Sequence, residues 1–244
     1  FPWQRVVVVG ASSGIGEAIA RRLAAGGCSV ALVARRADVL ARLAAELGAE
    51  RARPYAHDVV RIETVAGLVE TVERDLGGLD LLVYASGIMP RIALDEWDPG
   101  IDAAVTQVNL VGAMAWVDAV APRFAAAGRG TIVGVSSVAA DRGRRGNPAY
   151  HASKAGLDAY LEAVRHRVAR HGVRVVTAKP GPVDTPMSRG LPRLPLLVSA
   201  DAAAAGILRA ACRGPLVRYI PGRWRPIMFV IRNLPGPIFR RLDL

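Results

Sequence analysis

Along the chain, short runs rich in Val, Ile and Leu alternate with longer runs in which Ala, Leu and Val recur at helical spacing among Arg and Glu. The pattern predicts strands over residues 5–9, 29–33, 53–57, 79–83, 130–135, 174–178 and 216–220. Between them it predicts helices near 15–25, 37–47 and 62–76, a long one ending near Ala127, and two more over 150–171 and 200–212. Strands apolar on both faces and separated by helices imply a parallel sheet covered on both sides. The expectation is α/β: a doubly wound parallel sheet of about seven strands, Rossmann-type. No repeat, linker or low-complexity tract divides it. Residues 1–222 are expected as one domain, with 223–244 as a C-terminal apolar-basic extension.

Composition supports a folded chain. Its 244 residues are 52% hydrophobic and 22% charged, enough to bury a core without disulfides or metals. Cys28 and Cys212 lie in apolar segments without metal-ligand spacing and read as buried thiols in a reducing compartment. The net charge of +11 rests on thirty arginines against two lysines. The arginines are spread along helices with acids between them and without interleaved aromatics, which argues for a solvated surface and against a nucleic-acid partner. An anionic ligand or anionic membrane face remains as an alternative use for the charge. The apolar run 6–9 is too short for a signal peptide, and Arg and Pro interrupt every apolar stretch before it reaches the length of a bilayer span. A cytoplasmic protein is expected, at most peripheral at the inner face of a membrane.

The first strand runs into Gly10-Ala11-Ser12-Ser13-Gly14-Ile15-Gly16 and then a helical pattern. A glycine turn between a strand and a helix lets backbone approach a pyrophosphate, which meets the free N–H groups of the helix start. About twenty residues on, an acidic residue would accept from the ribose 2′-hydroxyl of NAD(H). Arg35 and Arg36 stand there instead, and guanidinium groups suit a 2′-phosphate. NADP(H) is the favoured cofactor and NAD(H) the less favoured one; capping of the next helix is the competing role for the two arginines. Asp58, followed by Val59, offers a carboxylate for the adenine amino group, and Ala85, Ser86 and Gly87 supply small residues where backbone must approach the ribose.

Thirteen residues after Ser137 comes Tyr150-His151-Ala152-Ser153-Lys154. Tyr and Lys at i and i+4 share one helix face, and an ammonium near a phenol favours the phenolate, so that Tyr150 is expected to serve as acid and base. One of only two lysines thus occupies a position where a compact ammonium suits the chemistry better than a guanidinium. His151 is expected to project about 100° away from Tyr150, and His57, His166 and His171 read as solvated or helix-end residues.

These residues are similar to those of the short-chain dehydrogenase/reductase family in its compact single-domain form, over roughly residues 5 to 220. The glycine loop follows the family pattern with Val9 in place of a threonine. Ser137, Tyr150 and Lys154 match its catalytic Ser and Tyr-x-x-x-Lys. Asn109 matches the asparagine that kinks the fourth helix and anchors a water linked to the lysine. Pro180, Gly181, Val183 and Thr185 match the segment that contacts the carboxamide region of the cofactor. The asparagines usual at the end of the fourth strand are replaced by Tyr84 and Ala85, which puts local stability of the sheet in question. The resemblance implies hydride transfer between nicotinamide C4 and a carbonyl, Tyr150 donating the proton, Ser137 orienting the carbonyl, and Lys154 binding the ribose. It also implies a homodimer or homotetramer through the helices ending near Ala127 and His171.

Residues 186–197 occupy the place of the family's mobile substrate lid, and their leucines suggest a hydrophobic carbonyl or alcohol as the small-molecule substrate. In the tail, Trp224, Ile227, Met228 and Ile231 fall on one helical face with Arg225 and Arg232 on another. Two readings stand: this segment packs on the subunit or a partner subunit, or it lies on a membrane with Arg toward anionic headgroups. The second would suit a membrane-associated reductase of a lipid-linked keto-sugar. Outside enzymes, the alternative is a catalytically silent NADP(H)-binding sensor or scaffold, which the presence of both Tyr150 and Lys154 argues against.

Overall fold

The computed structural model describes residues 1–191 and 194–242. Pro192 and Arg193 of the expected lid, with Asp243 and Leu244 of the tail, lie outside the described residues. Seven parallel strands form one sheet: β1 (Arg5–Val9), β2 (Ser29–Ala34), β3 (Ala52–Ala56), β4 (Leu81–Tyr84), β5 (Gly130–Val135), β6 (Val173–Pro180) and β9 (Val217–Ile220), in the order β3-β2-β1-β4-β5-β6-β9. Between β6 and β9 in the chain a short parallel pair, β7 (Val183–Asp184) and β8 (Val198–Ser199), brackets the segment expected as a lid. The order reverses between β1 and β4, so the crevice outside the carboxyl ends of these strands is where a doubly wound sheet takes its ligand.

The valine run of β1 shows why the sheet is central. Val6 and Val8 pack into one layer with Ile19 and Leu23 of α1 (Gly14–Ala25), Leu40 of α2 (Ala37–Leu47) and Ile207 of α7 (Ala200–Arg213). Val7 and Val9 point the other way, toward Val69 of α3 (Val65–Leu76), Trp116 of α5 (Gly112–Ala127) and Leu157 of α6 (Pro148–Val168). Alternate side chains of one strand therefore feed two cores. The edge strand β3 departs from the rule of apolar faces: Arg53, Pro54 and Ala56 are exposed, as an edge permits.

The structure adjusts several sequence expectations. The helix expected over 62–76 opens with a 3₁₀ turn, Ile62–Thr64. Cys28 is buried but Cys212 only half-buried. The long helix is continuous from Pro99 to Ala127, and by length and composition it suffices to cross a membrane. The expectation that no segment reaches that length is thus corrected, since Pro122 lies inside the helix without ending it. Here that helix lies on the sheet with Trp116, Val117, Val120 and Phe124 buried.

Within it, Gln107–Val111 is a π-helical turn between α4 (Pro99–Thr106) and α5. A π turn leaves backbone groups out of the regular ladder, and Tyr84 meets one of them: its hydroxyl donates to the Val108 carbonyl at 2.6 Å, fully buried. Tyr84 stands where the resemblance leads one to expect an asparagine. Its ring fills the core while its hydroxyl binds the bulged helix.

The tail forms α8 (Trp224–Asn233) and α9 (Gly236–Phe239). Trp224 and Met228 are buried against Val138, with Ile231 partly buried beside them. Ile227, expected on the same face, is 38% exposed. Arg142 donates to the carbonyls of Ile231 and Leu234, each at 2.6 Å, and lies 3.8 Å from the centre of the Phe239 ring. A cation thus satisfies carbonyls at the C-terminal end of α8.

Replacing Tyr84 by Phe should strand the Val108 carbonyl and cost about 1–3 kcal/mol. Urea unfolding measures this; an unchanged midpoint would mean that the hydroxyl does not brace the π turn.

Candidate active site

Gly10 follows β1 with φ of 91°, and a Cβ there would lie 2.6 Å from the Ser86 nitrogen. Only glycine permits both the turn and this approach of two strand ends. A Cβ on Gly16 would overlap the Gly10 carbonyl, so α1 can start hard against the turn only with glycine at that position. The loop thereby exposes the first turn of α1 to a cavity of about 670 Å³. Gly10, Ser12, Ser13, Gly14, Ile15, Arg35, Arg36, Asp58, Val59, Ala85, Ser86, Gly87 and Thr185 all line it. Gly16 sits behind the loop, buried.

Arg36 does not cap α2 with its side chain; it reaches back to donate to the Ser12 carbonyl at 3.0 Å and hydroxyl at 2.9 Å. His57, expected to be solvated, is half-buried and lines the same cavity. Its Nε2 lies 2.9 Å from the Thr64 hydroxyl and its ring packs edge-on to Trp116. His166 and His171 are exposed.

A second cavity, of about 550 Å³, adjoins the first; Ile15, Ala85, Gly87, Met89, Thr185 and Met187 line both. Ser137, Tyr150, Lys154, Pro180, Gly181 and Val183 lie on its wall. Asn147 explains how Tyr150 gets there. It holds a left-handed conformation with φ of 55°, its side-chain oxygen accepts from the Tyr150 N–H at 3.2 Å, and Pro148 opens α6 behind it. Its amide donates to the Pro90 carbonyl at 2.6 Å, tying the helix start to the loop after β4.

Lys154, one turn along α6, is buried and donates to the Val135 carbonyl at 2.9 Å. Its ammonium lies 5.9 Å from the centre of the Tyr150 ring. Burial lowers its pKa to about 8, against the opposing attraction of Asp158. For Tyr150, burial raises the phenol above its ordinary value, while hydrogen bonding with Ser137 and the charge of Arg144 pull it back. The expected lowering of the phenol is thus reversed by burial, and the cation that pulls against burial is Arg144 rather than Lys154.

Asn109, wholly buried in the π turn, accepts from the Ile88 N–H at 2.8 Å. Its amide donates to the Ile88 carbonyl at 3.0 Å and to the Ser153 hydroxyl at 3.1 Å. It clamps the loop after β4 to α6.

The structure also brings in residues that the sequence reading left out. His151, expected to turn away, is buried on the wall of the second cavity, its Nδ1 2.7 Å from the Ala139 carbonyl, and burial lowers its pKa. Arg144, Asn147 and Trp224 share that wall. Lys179 is buried between Asp141 and Asp158 (2.5 Å to the latter), and Tyr219 donates to Asp141 at 2.8 Å.

Residues 4–193 match the family model described as short chain dehydrogenase. An uncharacterized oxidoreductase of Mycobacterium tuberculosis is 36% identical over 240 residues, 97% of this chain and 96% of that one. The cis-4-hydroxycyclohexanecarboxylate dehydrogenase of Sinomonas cyclohexanicum is 37% identical over 195 residues, covering 79% of this chain and 78% of its own. Among solved structures, a short chain dehydrogenase from Burkholderia cenocepacia in complex with NADP aligns with a TM-score of 0.86 at 26% identity, over 99% of this chain and 98% of that one. The protein is thus an oxidoreductase of the short chain dehydrogenase family.

Proposed function

We propose that the protein is an NADPH-dependent carbonyl reductase, running reversibly as an alcohol dehydrogenase on a hydrophobic substrate. The observation that carries this reading is the meeting of the two cavities at Gly87, Met89, Thr185 and Met187, with Tyr150 and Lys154 on the wall of the second. The first cavity fits a dinucleotide: a cradle that a Cβ would fill at Gly10, the free N-terminus of α1, and Asp58 deeper along the sheet. Arg35 and Arg36 on its rim, with no acid at that point, favour a 2′-phosphate. The NADP bound in the Burkholderia cenocepacia structure supports the same choice.

The chemistry such a cofactor supplies when bound is hydride transfer at its nicotinamide ring. The protein's own groups do the rest. Tyr150 gives its phenolic proton to the carbonyl oxygen in reduction and takes it back in oxidation. The Ser137 hydroxyl holds that oxygen. Lys154 supplies a buried ammonium for the ribose and for the phenolate left after proton transfer, and Asn109 keeps the loop after β4 against α6 so that these groups stay in register. Met89, Val138, Leu191, Leu194 and Trp224 make the second cavity apolar, which suits a hydrophobic ring such as the one named in the Sinomonas relative. Trp224 makes the tail part of this wall, so we read 223–242 as a roof over the pocket.

Tyr150→Phe should lower kcat by about 10²–10⁴ and leave NADPH binding unchanged; substantial turnover by this variant rejects the assignment. The double variant Arg35→Ala/Arg36→Ala should weaken NADPH by about 10- to 100-fold, the scale of lost charge-assisted hydrogen bonds, and NADH hardly at all. Fluorescence titration of both cofactors reads this, and an equal loss for both refutes the 2′-phosphate site.

The buried ammonium also makes stability depend on pH. With Lys154 at about 8 in the folded protein and 10.5 as its ordinary value, the unfolded chain binds a proton between these pH values that the folded protein has released. Stability from this residue therefore rises with pH from 8 to 10.5, and below 8 the buried charge opposes folding in full. Lys154→Met should be more stable than wild type at pH 7, by about 1–3 kcal/mol, with the gap closing by pH 10. Urea unfolding at both pH values checks it; a less stable variant at pH 7 would show that the ammonium is net stabilising.

A further inference from the structure

The cavity beside Tyr150 is lined by more positive charge than proton transfer at the phenol requires. Its described lining includes two cations, Arg144 and Lys154, and no carboxylate. Lys154 is accounted for by the Val135 carbonyl and the neighbouring charge of Asp158. Arg144 is not. Its Nε is shielded from solvent and has no acceptor, and among the described residues no carboxylate or carbonyl pairs with its guanidinium. A half-buried guanidinium whose shielded Nε has no acceptor is unfavourable in the free protein, and burial already works against its charge.

The loop that carries Arg144 shows that the orientation is specific. Arg142, two residues earlier, is fully engaged by the carbonyls at the end of α8 and the Phe239 ring. Asn147, three residues later, is anchored to both the Tyr150 N–H and the Pro90 carbonyl. Between two fixed ends, Arg144 is the side chain that joins Tyr150 and His151 on the cavity wall. The remaining wall is largely apolar, with Met187, Leu191 and Trp224 among its members.

We propose that Arg144 is the anchor for an oxyanion on the substrate, so that the enzyme acts on a hydrophobic carbonyl compound bearing a carboxylate or a phosphate. This rests on the carbonyl reductase reading above. A guanidinium takes either group in a bidentate pair. Such an anchor would fix the carbon skeleton at its charged end, leaving the carbonyl to reach Ser137 and Tyr150. It would also complete the one unpaired charge of the pocket only when the substrate is bound, which makes it a device for specificity as well as affinity.

The test compares substrates that differ only in the anion. Purified enzyme with NADPH is assayed on 4-oxocyclohexanecarboxylate, its methyl ester and 4-oxocyclohexyl phosphate, for wild type, Arg144→Met and Arg144→Lys. The readout is the ratio of kcat/KM for each anion to that for the ester within one variant, so that any loss common to all substrates, including one through Tyr150, cancels. Wild type should favour one of the anions by about tenfold or more, Arg144→Met should bring that ratio to near one, and Arg144→Lys should fall between. Which anion is favoured separates a carboxylate from a phosphate substrate. A wild-type ratio near one for both anions, or a preference unchanged in Arg144→Met, overturns the proposal.

Calorimetric titration with cyclohexanecarboxylate and cyclohexyl phosphate, which have no carbonyl to reduce, gives a readout independent of turnover. At least one should bind wild type about tenfold or more tightly than Arg144→Met; binding of neither, or equal binding by both proteins, counts against Arg144. If the ester is reduced but no anion is preferred, the anchor falls and the reductase reading stands. If the anions bind through Arg144 but no ketone is reduced with either nicotinamide cofactor, the reductase reading falls instead.

Discussion

Four charges beside the pocket, two of them buried lysines, hold this end of the protein together. Lys154 and Asp158 stand one turn apart on α6, Lys179 is the penultimate residue of β6, and Asp141 closes the 3₁₀ turn after β5. Each lysine is buried, and an isolated buried ion would cost several kcal/mol. Alternating signs make the arrangement tolerable: Lys179 reaches both Asp141 and Asp158, and Asp158 acts on Lys154. Burial works to lower Lys179, yet its two carboxylate partners overcome this and hold the ammonium above its ordinary range. Tyr219 adds the edge strand β9 through its bond to Asp141. The spacing of α6 from β5 and β6, and so the position of Tyr150 over the strand ends, rests on this network. The chain's two lysines are both members of it, in a protein that otherwise uses arginine for positive charge. A compact ammonium can sit between two carboxylates inside a packed layer where a planar guanidinium would need more room.

A second constraint lies on the same face of the sheet, where α5 and α6 pack side by side. Asn109 must face the loop after β4, and a regular helix from Pro99 to Ala127 would carry a different set of side chains there. The π turn shifts the register, and Tyr84 satisfies the Val108 carbonyl beside it. Gly112 follows at once, and a Cβ on it would lie 2.7 Å from the Tyr84 hydroxyl. Loss of the usual asparagine is thus met by a local exchange: a larger side chain on the strand, glycine on the helix, and a hydrogen bond between elements instead of within the sheet.

The fold was legible because its signal is periodic. Valines in β1 that feed two cores, and glycines between strand and helix, leave little choice of architecture, and the strand bounds moved by only a residue or two. Tyr150 and Lys154 were legible because helix geometry alone puts them on one face. What stayed hidden depended on contacts distant in sequence. Arg142, Arg144 and Arg145 are equivalent as text, and what separates Arg142 from Arg144 is the end of α8 some ninety residues later, whose carbonyls take the first and leave the second to the cavity. His151 is expected to project about 100° from Tyr150, and what the angle alone cannot show is that the 3₁₀ turn of Val138–Asp141 lies on that side of α6, where the Ala139 carbonyl meets the ring. Trp224 could be placed on an apolar face without any indication that the face meets Gly181 and the pocket.

These differences separate the parts that the fold holds firmly from those held by few contacts. Beside the shared wall, Ser188 ties the segment after β6 into a knot: its hydroxyl donates to the Val183 carbonyl at 2.6 Å and accepts from the Thr185 N–H at 3.1 Å. Val183 and Thr185 are therefore held in place by the fold before any ligand arrives. Beyond Ser188 the character changes. Leu191 and Leu194 meet the cavity, while the backbone at Arg189 is tied to Arg91 by a single side-chain bond. The parts that serve any substrate are built into strands, helix starts and the buried charge network. The groups to which the proposed function gives substrate selection, Arg144, Leu191, Leu194 and Trp224, come from a loop, the segment expected as a lid and the tail, where change leaves strands and helix starts intact.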